Sequence, residues 1–189
     1  GIVSLFGGNG GFGIIKFMLP LGISYYTLTG ISYLTDVYRG EISAEKNPAK
    51  LALFLMFFPH IVEGPFSRYG ELSQTLFAGN RFSYSRFLSG MIRIFWGFFK
   101  KLALADRVGG MVDIVFQDHA SFGGAGTFFA VLGYTFQIYC DFSGCMDIVI
   151  GMSEVFGVKL SENFNQPFFS KSIDEFWRRW HITLGAWLK

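Results

Sequence analysis

Long apolar stretches alternate with short polar ones along this chain, and the longest of them predict helices. Residues Phe17–Val37 are apolar and aromatic apart from Asp36, and a helix of this length crosses about 30 Å of hydrocarbon. The polar stretch Arg39–Asn47 predicts a surface loop, after which Pro48 suits the first turn of a second helix. Residues 1–16 are rich in glycine and predict a linker.

The next apolar stretch, Leu51–Val62, is interrupted by proline and glycine before it reaches the length of a membrane crossing. It predicts a re-entrant or half-buried segment, because irregular backbone at membrane depth is tolerated where it is buried in protein or lines a cavity. His60 and Glu63 are therefore candidate cavity residues. A structural or solvated role is the alternative for both.

The middle of the chain divides into a polar part and an amphipathic part. Residues Ser67–Arg86 predict a polar loop. Residues Phe87–Leu104 are apolar but carry Arg93, Lys100 and Lys101. This pattern predicts a helix that lies along a membrane interface or crosses at a tilt, with its basic side chains reaching the headgroups.

The glycine-rich stretch near Ser121–Gly126 leads into an apolar run ending at Val158, which is too long for one crossing and predicts a crossing and a break. Asp141 and Asp147 lie in this run, where carboxylates must be neutralised, paired or turned toward a cavity. Helical spacing places Ser143 and Asp147 on one face. Helix-packing hydrogen bonds and the lining of a reaction channel both remain open for the two carboxylates.

The closing stretch, KSIDEFWRRWHITLGAWLK from Lys171 to Lys189, predicts one helix. Ser172 with Glu175 three residues later forms the SxxE pattern of a capping box. Two acidic residues in the first turn each precede an arginine by four positions, which favours ion pairs on the helix surface: Asp174 with Arg178 and Glu175 with Arg179. Before this helix, ENFNQPFF at 162–169 predicts a rigid irregular turn.

His181 lies within an aromatic stripe of that predicted helix, formed by Trp177, Trp180, His181, Leu184, Trp187 and Leu188. One interpretation is a core histidine held by a hydrogen bond. The other is a buried general base or acyl-handling group, kept neutral because burial and the neighbouring arginines lower its pKa. The arginines themselves could steer an anionic donor or acceptor, contact lipid phosphate, or pair with the acidic first turn.

The amino-acid composition indicates that these predicted helices belong to a membrane protein. Hydrophobic residues make up 51% of the 189 residues, charged residues only 16%, and 24 are phenylalanine, whereas ordinary soluble domains are roughly 25% charged. The predicted fold class is therefore an all-α, multi-helix transmembrane bundle with re-entrant or interfacial segments.

The net charge of +2 includes no dense basic run, which argues against a nucleic-acid partner. Cys140 and Cys145 predict neither a local disulfide nor a metal pair.

Five blocks, in this order, resemble the bacterial, alginate-acetylating branch of the membrane-bound O-acyltransferase family: PLGISYYTLTGISYLTDVYRG, FFPHIVEGPFSR, YTFQIYCDFSGCMDIVIG, ENFNQPFF and SIDEFWRRWHITLGAWL. The resemblance covers most of residues 20–188. It implies a partial transmembrane domain of that family over 17–189, in the cytoplasmic membrane of a bacterium, passing through it several times. Two positions depart from the family pattern: His60 stands where a glutamine is more usual, and Gly185 replaces a small polar residue.

The resemblance further implies transfer of an acyl group, typically acetyl, to a hydroxyl of an extracytoplasmic polysaccharide or similar acceptor. The donor would be a co-substrate such as acetyl-CoA or an acyl carrier, with no bound cofactor or metal. Membrane lipid and an extracytoplasmic acyltransferase are the expected partners. His181 matches one of two family histidines that line the reaction tunnel. The second has no counterpart here, so this piece by itself is expected to be inactive.

Three parts of the chain contribute candidate substrate-binding residues: the closing stretch, the long apolar run and the irregular turn at 162–169. Candidate substrate-binding residues are Trp177, Arg178, Arg179, Trp180, Asp141, Asp147 and Asn163. A non-enzymatic transporter or scaffold bundle is the alternative function, with Asp141, Asp147 and His181 in a substrate path or a packing network.

Overall fold

The computed structural model describes residues 22–60 and 63–188, and apart from one isolated bridge its regular structure is helical throughout that part of the chain. The predicted linker at 1–16 and the start of the first predicted helix lie outside the described residues. The α-helices are α1 (Ile23–Tyr38), α2 (Pro48–Leu55), α3 (Tyr69–Leu76), α4 (Tyr84–Phe98), α5 (Asp106–Gln117), α6 (His119–Val155), α7 (Ile173–Arg179) and α8 (Ile182–Trp187).

The first loop and the start of α2 agree with the prediction. The Asn47 side chain caps α2 by accepting hydrogen bonds from the backbone N–H groups of Ala49 and Lys50, at 2.9 and 3.4 Å, and Pro48 occupies the first turn. The helix ends at Leu55 and a short 3₁₀ turn, Phe58–His60, follows. The predicted interruption of this apolar segment is confirmed.

Helix α3 occupies part of the stretch that sequence predicts as a polar loop, and that prediction is wrong. Tyr69 and Leu72 are buried on its inner face, where Tyr69 packs edge-on against Tyr33 and Phe54. Tertiary contact with α1 and α2 therefore stabilises a helix whose local sequence is mostly polar. The core around it consists of Tyr33, Phe54, Phe57, Tyr69, Leu72, Val149, Ile150, Val158 and Leu160.

The amphipathic segment is helical, as predicted, but it contains a π-helical turn at Phe99–Ala105 between α4 and α5. Consecutive residues of a regular helix point about 100° apart. In this turn Lys100 and Lys101 both reach α6, where Lys100 pairs with Asp147 and Lys101 with Asp141. The two carboxylates are thus paired, which is one of the states that their apolar surroundings require.

Helix α6 is kinked at Gly123, whose φ of 65° and ψ of −176° are not helical, and it then runs without interruption to Val155. The predicted break within the apolar run beyond Gly126 is therefore wrong. Along this continuous helix Gly144 and Gly151 lie in close contact with the backbone of α4. No helix within 22–60 and 63–188 combines the length and the apolar character needed to cross a bilayer.

The closing stretch is two short helices, so the prediction of one helix is wrong. Its start is confirmed, because the Ser172 hydroxyl accepts from the Glu175 backbone N–H at 3.1 Å and both i,i+4 ion pairs form. The helix stops at Arg179, whose carbonyl oxygen accepts from the backbone N–H of Asn165 at 2.9 Å. Trp180 is extended, and His181 has a left-handed φ of 47° before α8 begins.

This break is stabilised by the irregular segment before α7. Phe164 and Trp180 form an antiparallel bridge, and the Asn163 carbonyl oxygen accepts from the Ile182 backbone N–H at 3.0 Å. The segment is held rigid by a left-handed Gln166 and a 3₁₀ turn at Pro167–Phe169, which confirms the predicted rigid turn. Backbone groups that a continuous helix would have paired internally are paired here with a neighbouring segment.

Candidate active site

The site is organised around the left-handed residue at the α7–α8 junction, His181. A non-glycine residue in this region of φ and ψ carries a strain of about 1–3 kcal/mol and persists only when its surroundings hold it there. The surroundings in this case are the bridge between Phe164 and Trp180 and the hydrogen bond from Ile182 to Asn163. The kink removes His181 from the stripe of α7 and presents its ring to a different part of the fold.

The imidazole of His181 is half-buried between aromatic rings. Phe66 stacks against it at a centroid distance of 6.1 Å and 21° between the ring planes. Phe142 of α6 meets it edge-on at 4.8 Å and 84°. Burial among these rings lowers the pKa of His181 below its usual value, because desolvation disfavours the charged imidazolium. The neutral ring that a general base requires is therefore favoured.

The His181 ring is oriented by a hydrogen bond to the side chain of Asn163. Nδ1 of His181 lies 3.0 Å from Oδ1 of Asn163. That oxygen also accepts from the backbone N–H of Thr183 at 3.1 Å and from its hydroxyl at 2.9 Å. The Thr183 hydroxyl oxygen in turn accepts from the Phe66 backbone N–H at 3.0 Å. One network thus connects α8, the ENFNQ segment and the residues after the 3₁₀ turn.

A cavity of about 260 Å³ opens beside the ring. Its walls come from α1, from residues 63–66, from α6 and from the α7–α8 junction, and the described residues that line it are Ser24, Tyr25, Leu28, Glu63, Gly64, Phe66, Phe142 and His181. Most of this lining is apolar. The prediction that the FFPHIVEGP segment walls a cavity is confirmed through Glu63 and Gly64.

His60 lies behind this wall and does not line the cavity. It is 0% exposed, and its ring contacts those of Tyr25 and Phe57 at centroid distances of 5.2 Å. A Cβ added to Gly64 would be 2.5 Å from Cβ of His60. The close approach of the chain to this histidine therefore requires glycine at 64. Among the described residues neither ring nitrogen of the buried His60 has a hydrogen-bond partner, so its structural role stays a prediction.

The two predicted carboxylates are engaged in ion pairs away from the imidazole. Asp147 contacts Lys100 at 2.5 Å and Arg93 at 3.0 Å, and Lys100 also donates to Ser143 at 3.0 Å, which confirms the predicted shared face of Ser143 and Asp147. Asp141 contacts Lys101 at 2.8 Å. Neither carboxylate is among the residues that line the cavity beside His181.

The aromatic and basic residues of α7 also lie elsewhere. Trp177 is 61% exposed, and Arg178 and Arg179 pair with the acidic residues of their own first turn. Trp180 stacks on Phe176 at 5.6 Å, and both tryptophans line a separate apolar cavity of about 300 Å³ against α6. The arginines are therefore not the cause of the lowered pKa of His181, and substrate contact by these residues stays a prediction.

Asn163 is brought to the site, in a position that sequence reasoning does not specify. It is 1% exposed, its Oδ1 is shared by three donors, and its Nδ2 lies 3.2 Å from the sulfur of Met146. These contacts are all within the protein, so its predicted contact with substrate stays a prediction. Sequence reasoning missed Phe66, Phe142 and Thr183, and the sequence carries no local pattern that would have identified them.

Residues 22–60 and 63–188 contain no group of three or more His, Cys, Asp or Glu side chains arranged for a metal ion. The polar groups at the cavity beside His181 are the imidazole itself, the Ser24 and Tyr25 hydroxyls and the Glu63 carboxylate. The Tyr25 hydroxyl donates to the Pro65 carbonyl oxygen at 2.6 Å. Burial raises the pKa of the Glu63 carboxyl, and the imidazole is the group here that combines an orientation fixed by a hydrogen bond with a lowered pKa.

An all-helical fold with an oriented, half-buried histidine beside a mostly apolar cavity agrees with the resemblance drawn from the five sequence blocks. The model of MBOAT, the membrane-bound O-acyltransferase family, matches residues 23–189. The chain belongs to the membrane-bound O-acyltransferase family.

Curated relatives are similar to nearly the whole chain. It is 41% identical over 179 residues to the probable alginate O-acetylase of Pseudomonas aeruginosa, covering 94% of this chain and 34% of that protein. It is 34% identical over 204 residues to the peptidoglycan O-acetyltransferase of Helicobacter pylori, covering 94% and 39%. It is 31% identical over 173 residues to the teichoic acid D-alanyltransferase of Bacillus subtilis, covering 89% and 43%. The chain thus spans less than half the length of each relative.

Proposed function

We propose that this chain contributes His181 to the active site of a membrane-embedded O-acyltransferase. The enzyme would transfer a short acyl group, typically acetyl, to a hydroxyl of an extracytoplasmic polysaccharide or similar polymer. The observation that carries the proposal is the half-buried imidazole of His181, oriented by Asn163 and with its pKa lowered by burial, at a mostly apolar cavity of about 260 Å³. The three relatives, named for acyl transfer to alginate, peptidoglycan and teichoic acid, support this class of acceptor.

In the reaction, Nε2 of His181 acts as the general base. It accepts the proton of the acceptor hydroxyl while the hydroxyl oxygen forms a bond to the acyl carbonyl carbon. The bond between that carbon and the donor sulfur breaks, and the departing thiolate takes the proton back from the imidazolium. Acetyl-CoA or an acyl carrier would serve as the thioester co-substrate. A base in hydrogen-bond reach of the hydroxyl contributes about 10²–10⁴-fold to such a step.

Residues 17–189 are proposed to form part of a multi-pass domain in a bacterial cytoplasmic membrane. Large apolar side chains on the outer faces of α4, the π-helical turn and α6 support this, since exposed patches of this kind mark membrane or protein contacts; they include Phe95, Trp96, Leu102, Phe128, Phe129 and Leu132. Lipid would cover these side chains, and an extracytoplasmic acyltransferase would complete delivery to the polymer.

The test replaces His181 by alanine in the full-length protein and measures transfer of a labelled acetyl group to polymer in membranes. We expect activity to fall by about 10²-fold or more while the amount of inserted protein is unchanged. His119→Ala is the matched control, because His119 is exposed at the start of α6 and should retain activity. Normal transfer by the His181 variant would exclude the role proposed for this residue.

A further inference from the structure

The hydrogen bonds around Asn163 determine which of its side-chain atoms faces the imidazole. The backbone N–H of Thr183 lies 3.1 Å from this atom, and a backbone N–H can only donate. The atom is therefore the amide oxygen, Oδ1, and the NH₂ group takes the opposite position beside the sulfur of Met146. The usual ambiguity of an asparagine amide is resolved here by its neighbours.

The Thr183 hydroxyl leads to the same assignment. Its oxygen accepts from the Phe66 backbone N–H at 3.0 Å, so its own proton is free to donate to Oδ1 of Asn163 at 2.9 Å. A carbonyl oxygen offers lone pairs and no proton. The third group at this oxygen, Nδ1 of His181 at 3.0 Å, must therefore be a donor as well.

We propose that Asn163 is a positioning residue that holds His181 in the tautomer with the proton on Nδ1 and the lone pair on Nε2. The opposite tautomer would set the lone pair of Nδ1 against that of Oδ1, losing a buried hydrogen bond and adding repulsion. In the proposed reaction, Nε2 is then ready to accept a proton whenever the ring is neutral. The inference rests on the proposed function only for this consequence, since the tautomer follows from the hydrogen bonds alone.

Burial and backbone pairing hold Asn163 in place relative to His181. The side chain of Asn163 is 1% exposed, and its own carbonyl oxygen accepts from Ile182, the residue after the histidine. Asn163 is thus bound to the segment that carries His181 by a backbone hydrogen bond as well as by its side chain. A shift of Asn163 relative to His181 would require both bonds to break.

The first test reads the tautomer directly. Full-length protein labelled with ¹⁵N in its histidine rings is measured by NMR above the pKa of His181, and the His181 signals are assigned from their loss in His181→Gln. We expect a protonated Nδ1 and an unprotonated Nε2. A proton on Nε2 would overturn the inference whatever the activity of the protein.

The second test uses Asn163→Asp, which retains an oxygen acceptor of the same size and adds a negative charge beside Nδ1. A neighbouring carboxylate favours the imidazolium, so the acidic limb of the pH–rate profile should move to higher pH by about one unit or more. Asn165→Asp is the matched control, because Asn165 is exposed and two residues along. Glu63, the carboxylate at the cavity, is unchanged in both variants.

The outcomes separate this inference from the proposed function. A purely structural Asn163 would lower activity equally at every pH and leave the profile of Asn163→Asp in place, which would overturn the inference. If His181→Ala kept full activity, the proposed function would fail while the NMR result would still decide the tautomer. A shift of the acidic limb to higher pH in Asn163→Asp but not in Asn165→Asp, together with a protonated Nδ1 in the unmodified protein, supports both this inference and the proposed function.

Discussion

Gly97 of α4 and Gly144 of α6 face each other so closely that neither position has room for a methyl group. A Cβ on Gly97 would be 2.6 Å from the carbonyl oxygen of Gly144, and a Cβ on Gly144 would be 2.9 Å from that of Gly97. Gly90 and Gly151 repeat this reciprocal contact seven residues away along each helix, at 2.6 and 2.7 Å. The two pairs set the distance between α4 and α6.

Alanine at either position of the first pair should push the helices apart. We expect Gly97→Ala and Gly144→Ala each to lower the free energy of unfolding by about 1–3 kcal/mol, the usual cost of overpacking. The measurement is thermal unfolding of the full-length protein in detergent. Gly110→Ala is the control: Gly110 is helical with no atom within 4 Å of an added Cβ, so alanine there should stabilise slightly. Equal effects at 97 and 110 would contradict the packing argument.

The ion pairs of Asp147 connect α6 to α4 and to the π-helical turn. Asp147→Asn should lower the free energy of unfolding by about 1–3 kcal/mol, because it leaves Lys100 partly buried beside a neutral group, whereas Arg93 keeps its ion pair with Glu162 at 2.6 Å. Side-chain exposures of 15% for Asp147 and 13% for Lys100 place this pair between a surface and a core interaction.

The matched control for Asp147 is Asp174→Asn, in the ion pair with Arg178. That pair is exposed, at 77% and 63%, and exposed pairs contribute about 0–1 kcal/mol. Chemical or thermal unfolding of both variants side by side measures the difference. A larger loss for Asp174→Asn than for Asp147→Asn would refute the role assigned to burial.

The Ser172 cap stabilises the start of α7 and through it the approach to His181. Ser172→Ala removes the acceptor of the Glu175 N–H and should cost about 1 kcal/mol. The control is Ser85→Ala, because Ser85 is an exposed serine in α4. The free energy of unfolding of this variant should lie within about 0.5 kcal/mol of that of the original protein. Hydrogen exchange of the α7 amides reports the effect locally, and unchanged protection would contradict it.

The Tyr69 hydroxyl and the Glu45 carboxylate lie 2.6 Å apart, with the hydroxyl donating. This bond is the main reason that the pKa of Glu45 is lowered. Burial, and after it this bond, raises the pKa of Tyr69 to about 12. A lowered carboxyl pKa gives stability that is present above the unfolded pKa and is lost as pH falls through the folded pKa.

Tyr69→Phe should therefore reduce stability near neutral pH and weaken its dependence on pH in the acidic range. Thermal unfolding from about pH 7 down to about pH 4, across the titration of a glutamate, measures this. Tyr84→Phe is the control, since Tyr84 is 70% exposed. The same acid dependence in Tyr69→Phe as in the unmodified protein would show that the bond does not shift the titration of Glu45.

The sequence predicts the residues of the site better than it predicts the backbone conformation around them. It identifies His181 as the candidate base, the SxxE cap at Ser172 and the need of Asp141 and Asp147 for partners. It does not predict the break at His181, because residues 180 and 181 include no glycine or proline. The break is caused by the bridge between Trp180 and Phe164, which lies sixteen residues earlier in the chain. Long-range backbone pairing leaves no local pattern.

By itself the sequence determines the helical class, the apolar character, the caps and the family, since these follow from periodicity, composition and short motifs. Only the tertiary structure decides that the side chain hydrogen-bonded to His181 is Asn163 rather than an arginine, that Phe66 and Phe142 enclose its ring, and that α3 is helical. Each of these depends on groups far apart in the chain meeting at hydrogen-bond or van der Waals distance. Which groups meet is fixed by helix packing, and in α4 and α6 by four glycines that allow the backbones to touch.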